Sequence, residues 1–133
     1  GPHVLQPVDK LKGSGGNETV VWYSLGNFLN TQEPIESLFG AVGVVDFSIS
    51  NGTVTGLGYL PIYMHYEWTA AQKAAGNLLA RNNLRMYLLE ASNQSLIDKN
   101  QLNTSVDAQD TRIKQTLNSL TSVSKLSSEE YYQ

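Results

Sequence analysis

The dipeptide Asn51-Gly52 restricts the fold of this chain more than any other feature. It lies between two strand-like runs, and Asn-Gly favours a tight two-residue turn with positive φ at both positions. Folding the chain there predicts that Ile49 faces Val54, Phe47 faces Gly56 and Val45 faces Gly58. The opposite face then carries Ser50 with Thr53, Ser48 with Thr55 and Asp46 with Leu57. One face is apolar and the other mostly polar, as a sheet with one wet side requires.

The other elements are read around this hairpin. Residues 4 to 12 are a mixed stretch interrupted by Pro7, and Gly13 to Asn17 read as a surface loop. Val20-Val21-Trp22-Tyr23 is a continuous apolar run, which predicts a strand covered on both faces. A helix is predicted from Thr69, as its cap, to Arg81, with Gly76 as a weak point. A short strand is predicted over Arg85 to Leu89 and a short helix over Ser92 to Lys99. A longer helix is predicted over Val106 to Leu120, with Val106, Ile113, Leu117 and Leu120 as its apolar stripe. Thr104 with Asp107 resembles its capping box. The Ser-rich tail from 122 to 133 is expected to be loosely ordered.

Composition narrows the chemistry. The 133 residues are 41% hydrophobic and 16% charged, with net charge -3 and no run of basic residues, so no nucleic-acid partner is expected. There is no cysteine, which excludes a zinc ribbon, a disulfide framework and a thiol nucleophile. No run of about 18 apolar residues is present to span a bilayer. The opening Gly1-Pro2-His3-Val4 has no start methionine, and the chain reads as a piece of a longer protein. Four Asn-x-Ser/Thr triplets begin at Asn17, Asn51, Asn93 and Asn103, and are read as chance in an Asn-, Ser- and Thr-rich chain. The two histidines, His3 and His65, have no second ligand at i+4, and on spacing alone each reads as a surface or hydrogen-bonded group. The rings of Tyr59, Tyr63, Tyr66 and Trp68 with His65 have two readings. They stack on sugars, or they pack against the helix that follows.

A resemblance adds to this. Pro2-His3-Val4-Leu5-Gln6-Pro7, followed by Val21-Trp22-Tyr23-Ser24-Leu25-Gly26-Asn27-Phe28, is similar to the CapA family of capsule and poly-γ-glutamate synthesis proteins. In that family a block of the form G-H-x-P-H-V-x-Q-P precedes a strand ending Y-S-L-G-N-F. A strand of the form G-x-V-T-G-x-x-x-x-P-I-Y then matches Gly52 to Tyr63. The match covers about residues 2 to 66.

The resemblance implies an α/β fold (α+β for this piece alone) that forms part of a calcineurin-like metallophosphatase sandwich. It implies a core part over 1–66, a helical extension over 67–121 and a tail over 122–133. Such folds hold two divalent metal ions that generate a hydroxide nucleophile. His3 matches the second histidine of the metal-binding block, and the first is absent. His3 is thus expected to be a metal ligand in the intact parent, while this chain alone holds no metal and is not catalytic. Gly26 and Asn27 are read either as substrate-binding positions beside the metals or as a structural turn, and Gln6 as a substrate contact or a tie for its loop. The expected partners are the missing N-terminal half and a cell-surface polymer, with self-association of the isolated piece. The implied place is the bacterial cell surface, with the parent tethered by an N-terminal segment. The parent either hydrolyses a phosphoester or binds polymer without hydrolysis. A different reading is a non-catalytic surface module that binds a cell-wall polymer or a partner protein.

Overall fold

The computed structural model describes residues 1–131, an α+β chain with two sheets and four α-helices among them. The first sheet is a hairpin of β1 (Val8–Lys12) and β2 (Glu18–Trp22), antiparallel from Val8 opposite Trp22 to Lys12 opposite Glu18. Its tip is closed by Gly13 N–H donating to Asn17 O at 2.9 Å. The pairing continues past Pro7 to a bridge between Leu5 and Leu25. One expectation is corrected here. The apolar run at 20–23 is half-buried rather than covered on both faces, and Tyr23 is exposed. The mixed stretch before it supplies the partner strand, in which Asp9, Lys10 and Lys12 mask the strand pattern while Leu5 and Val8 enter the core.

The second sheet has the order β3 (Phe39–Phe47), β4 (Val54–Glu67), β5 (Asn82–Leu88), with β6 (Ser124–Lys125) added to β4. The predicted hairpin joins β3 and β4, but its register differs from the expected one. Phe47 pairs with Val54, Asp46 with Gly56, Val45 with Leu57 and Val44 with Gly58. The cause is a four-residue loop, Ile49–Gly52, in place of a two-residue turn. Ser48 N–H donates to Thr53 O and Gly52 N–H to Ser48 O, both at 2.8 Å. Only Gly52 has positive φ, at 68°. The Asn51 side chain instead accepts from Thr53 N–H and Thr53 Oγ1, a local alternative to the tight turn. A bulge then leaves Thr55 unopposed. Ile49, expected to pair with Val54, stands in solvent at the loop tip.

β4 is the central strand, and every residue from Gly58 to Tyr66 is buried. β3 lines one edge. On the other, β5 pairs antiparallel with Ile62 to Glu67, and β6 pairs parallel with Gly58 and Tyr59. Leu126 lies over Gly58, where a side chain larger than hydrogen would collide with it. The predicted strand at 85–89 is thus β5, begun earlier.

The helices are shorter than expected. α1 (Ala70–Ala74) is capped by Thr69, whose hydroxyl accepts from Gln72 N–H while Gln72 Oε1 accepts from Thr69 N–H. It stops before Gly76, which takes φ 62°, and a 3₁₀ turn over Leu78–Ala80 replaces the rest of the predicted 69–81 helix. α2 (Gln94–Lys99) is capped by Asn93. α3 (Val106–Leu117) is capped by Ser105 through Ala108 N–H, so the Thr104–Asp107 box is not formed. Asn118 ends α3 early. Its amide donates to Lys114 O, and its oxygen takes Val123 N–H at 2.8 Å, which turns the chain back and leaves Leu120 exposed.

The expected loose tail is also corrected over its described part. Val123 is buried, β6 joins the sheet, and α4 (Ser128–Tyr131) follows. Residues 132 and 133 of that expectation lie outside the described residues. The core gathers Phe39, Tyr63 and Met64 of the sheet with Ile97, Ile113 and Leu117 of the helices.

Candidate functional site

His3 and Asn27 come from the two blocks that precede the hairpin, and the fold brings them together. Three devices place them. The antiparallel run from Leu5–Leu25 through Gln6 N–H to Ser24 O aligns the two blocks. Gly26 adopts φ 76°, which a side chain disfavours. Leu25 O accepts from Ala41 N–H at 3.0 Å, fastening the turn to the outer edge of β3. Gly40 permits that approach, because a Cβ there would lie 2.8 Å from Asn27 O.

His3 Nδ1 is 2.8 Å from Asn27 Oδ1. The Asn27 amide has its own constraints. Its Nδ2 donates to Gln32 Oε1 at 3.0 Å and to Ser37 O at 3.3 Å. Ser37 O also accepts from Asn30 Nδ2, and Gln32 N–H donates to Asn30 Oδ1. The amide therefore presents its oxygen to His3, and the imidazole must donate from Nδ1. A neutral His3 then keeps its lone pair on Nε2. Metal-binding imidazoles are commonly held this way, with the second nitrogen donating to a fixed acceptor. His3 itself is exposed, with φ 59°. Asn27 also lines an open cleft of about 310 Å³, together with Leu25, Phe28, Ala41 and Gly43.

Of the four positions singled out in the sequence, His3, Gly26 and Asn27 share this corner. Gln6 does not join them. Its backbone ties down the loop, and among the described residues its side chain makes no hydrogen bond. Sequence reasoning missed Gln32, Ser37 and Asn30, which hold Asn27. They are polar loop residues with no distinguishing spacing. For a metal pair the fit is partial. His3 Nε2 suits one ligand position, but among the described residues no three His, Asp or Glu side chains converge.

The aromatic cluster lies elsewhere and is closed to sugars. Tyr59, Tyr63, His65, Tyr66 and Trp68 are all 5% exposed or less. Tyr63 stacks on Phe39 with ring centres 4.8 Å apart. The Arg81 guanidinium lies 5.2 Å from the Tyr66 ring centre and 5.8 Å from that of Trp68. Tyr66 O–H donates to Gln32 O, and Trp68 Nε1–H donates to Asn100 O.

His65, read from the sequence as a surface or hydrogen-bonded group, is buried and hydrogen-bonded. Asn100 Nδ2 donates to Tyr63 Oη, so Tyr63 O–H is left to donate to His65 Nδ1 and His65 Nε2–H to Glu67 Oε1, each at 3.2 Å. Burial pushes the Tyr63 phenol well above its ordinary value. The His65 and Asn83 hydrogen bonds hold Glu67 below the usual glutamate range, with Lys99 adding to them. This chain of partners joins β4 to α2, although Asn100 Oδ1 at its end is buried without a hydrogen-bond partner. Comparison of the chain with protein-family models, with curated proteins and with solved structures found no match.

Proposed function

We propose that this chain is the C-terminal portion of a CapA-type capsule or poly-γ-glutamate synthesis protein, in which His3 supplies one ligand to a divalent-metal centre completed by preceding polypeptide. The observation that carries the reading is the His3–Asn27 pair. Residues from two separate blocks of the resemblance meet at 2.8 Å, and with Nδ1 so engaged the exposed imidazole keeps Nε2 for another partner. The finer architecture, half of a metallophosphatase-like sandwich, belongs to the same proposal. It is supported by β3 standing at a sheet edge, where past Ala41 no described strand pairs with it. In such a centre a bound metal pair would activate water against a phosphoester. The contribution of this chain is to orient the His3 imidazole and to hold the Asn27 turn rigid beneath it. The parent is placed at the bacterial cell surface on the same resemblance.

By itself the chain offers one imidazole at this corner, too few groups to fix a hard metal pair. Titration of the 133-residue chain with Mn²⁺ and Zn²⁺ is expected to show weak binding at most, and an aryl phosphate is expected to stay intact. In the longer protein, His3→Ala should lower metal content, and Asn27→Ala should do so less, by about 10- to 100-fold in affinity, because it loosens the orientation of the ligand rather than removing it. Tight stoichiometric binding with turnover by the short chain would overturn the reading. Unchanged metal content in the His3→Ala parent would remove His3 as a ligand.

A further inference from the structure

We infer that Asn51 is a site of spontaneous covalent modification, in which its side-chain amide is lost through a cyclic imide formed with Gly52. Four observations converge on the β3–β4 loop. Asn51, Gly52 and Thr53 are all exposed, so water and base reach them. Asn51 Oδ1 accepts from Thr53 N–H at 3.1 Å and from Thr53 Oγ1 at 2.7 Å. Two donors on one carbonyl oxygen draw electron density from Cγ, and they stabilise the negative oxygen that forms when a nucleophile adds there. Asn51 Nδ2, the leaving group, makes no hydrogen bond among the described residues. The following residue has no side chain to hinder ring closure, and Asn51-Gly52 is the sole Asn-Gly pair in the sequence.

The step balances as follows. Base removes the Gly52 N–H proton, and the nitrogen attacks Asn51 Cγ. The new N–Cγ bond forms, the Cγ–Nδ2 bond breaks, and the nitrogen leaves as ammonia after gaining a proton. Water then opens the five-membered imide. Cleavage at Cγ gives aspartate, and cleavage at the main-chain carbonyl gives isoaspartate. The opposing feature is Gly52 N–H donating to Ser48 O at 2.8 Å, which must open first. The bond lies at an exposed loop tip, where opening requires little free energy.

The two products differ in effect. Aspartate keeps the acceptor for Thr53 and adds one negative charge to a chain of net charge -3. Isoaspartate adds a methylene to the main chain of a four-residue loop and displaces the Gly52–Ser48 bond. A polar cleft of about 490 Å³ lies between this tip and that of the β1–β2 hairpin, lined by Lys12, Asn17 and Glu18 as well as Asn51. The new carboxylate would enter it.

The test is peptide mapping by mass spectrometry after incubation of the folded 133-residue chain at neutral and mildly alkaline pH. The peptide bearing Asn51 should convert before any other asparagine peptide, faster at the higher pH, with both aspartate and isoaspartate present. Thr53→Val removes the hydroxyl donor and should slow conversion several-fold, while Thr53→Ser should keep the rate. Melting curves of both variants establish that they are folded. The inference is overturned if Asn51 stays intact in the folded chain while the urea-unfolded chain converts. It is also overturned if Thr53→Val converts as fast as the unmodified sequence.

Discussion

Gly40 has no room for a single methyl group. A Cβ there would lie 2.8 Å from Asn27 O and 3.0 Å from Leu25 O. Both are backbone atoms, so neither swings aside as a side-chain end would. Gly40→Ala is therefore expected to cost about 1–3 kcal/mol, the usual penalty of overpacking. It should also shift the Asn27 turn and with it the His3 contact. Urea melts measure the first effect, and the His3 imidazole signals in NMR measure the second. An unchanged midpoint with unchanged signals would mean that the turn does not rest on β3 as described. The glycine that matters most to the candidate site gives no sign in the sequence, because nothing around Gly40 marks a close backbone approach. His3, Gly26 and Asn27 were legible only through a resemblance of blocks. Their meeting depends on the β1–β2 pairing, and a strand rich in Lys and Asp hid that pairing.

At the level of elements, α3 is anchored by two residues. Ile113 and Leu117 are fully buried, while Leu120, predicted on the same stripe, is 57% exposed beyond the helix end. Ile113→Ala and Leu117→Ala should each destabilise by about 2–5 kcal/mol, and Leu120→Ala by well under 1 kcal/mol. Equal losses for all three in denaturant melts would contradict the early stop at Asn118. The reason the stop was missed is physical. The apolar period runs on to Leu120, but the Asn118 side chain bonds both Lys114 O and Val123 N–H, and that local competition ends the helix. The hairpin was legible, since Asn-Gly between strand-like runs is a strong signal. Its register was not, because the Asn51–Thr53 bonds select a longer loop and a bulge follows. The docked tail was illegible for another reason. Its place is set by the bare surface of Gly58 beneath Leu126, a fit between distant residues that no local pattern announces.

For the whole molecule, acid should loosen several joints together. Glu67 is held below its ordinary value of 4.5 chiefly by His65 and Asn83, Glu90 by Ser128, and Glu130 by Ser127. A carboxylate with a lowered folded-state pKa stabilises the fold above its unfolded pKa. That contribution is lost as the pH falls through the folded value. Thermal melts between about pH 6 and pH 3 should therefore show falling stability, steepest below the ordinary glutamate range. Glu90→Gln should flatten the dependence, since Glu90 Oε1 accepts Ser128 N–H and so fastens α4 to the turn after β5. A melting temperature constant across that range would contradict these assignments. The parallel contact of β6 with Gly58 and Tyr59 has a kinetic consequence. β4 acquires its antiparallel neighbours from nearby sequence, but this one stretch of its edge waits for residues 124 and 125. During synthesis the middle of the central strand stays unpaired on that side until residues 124 and 125 have emerged. Closing so long a loop is entropically slow, and an open strand edge invites pairing with other chains. The arrival of residues 124 and 125 thus ends the interval in which the central strand is most open to aggregation.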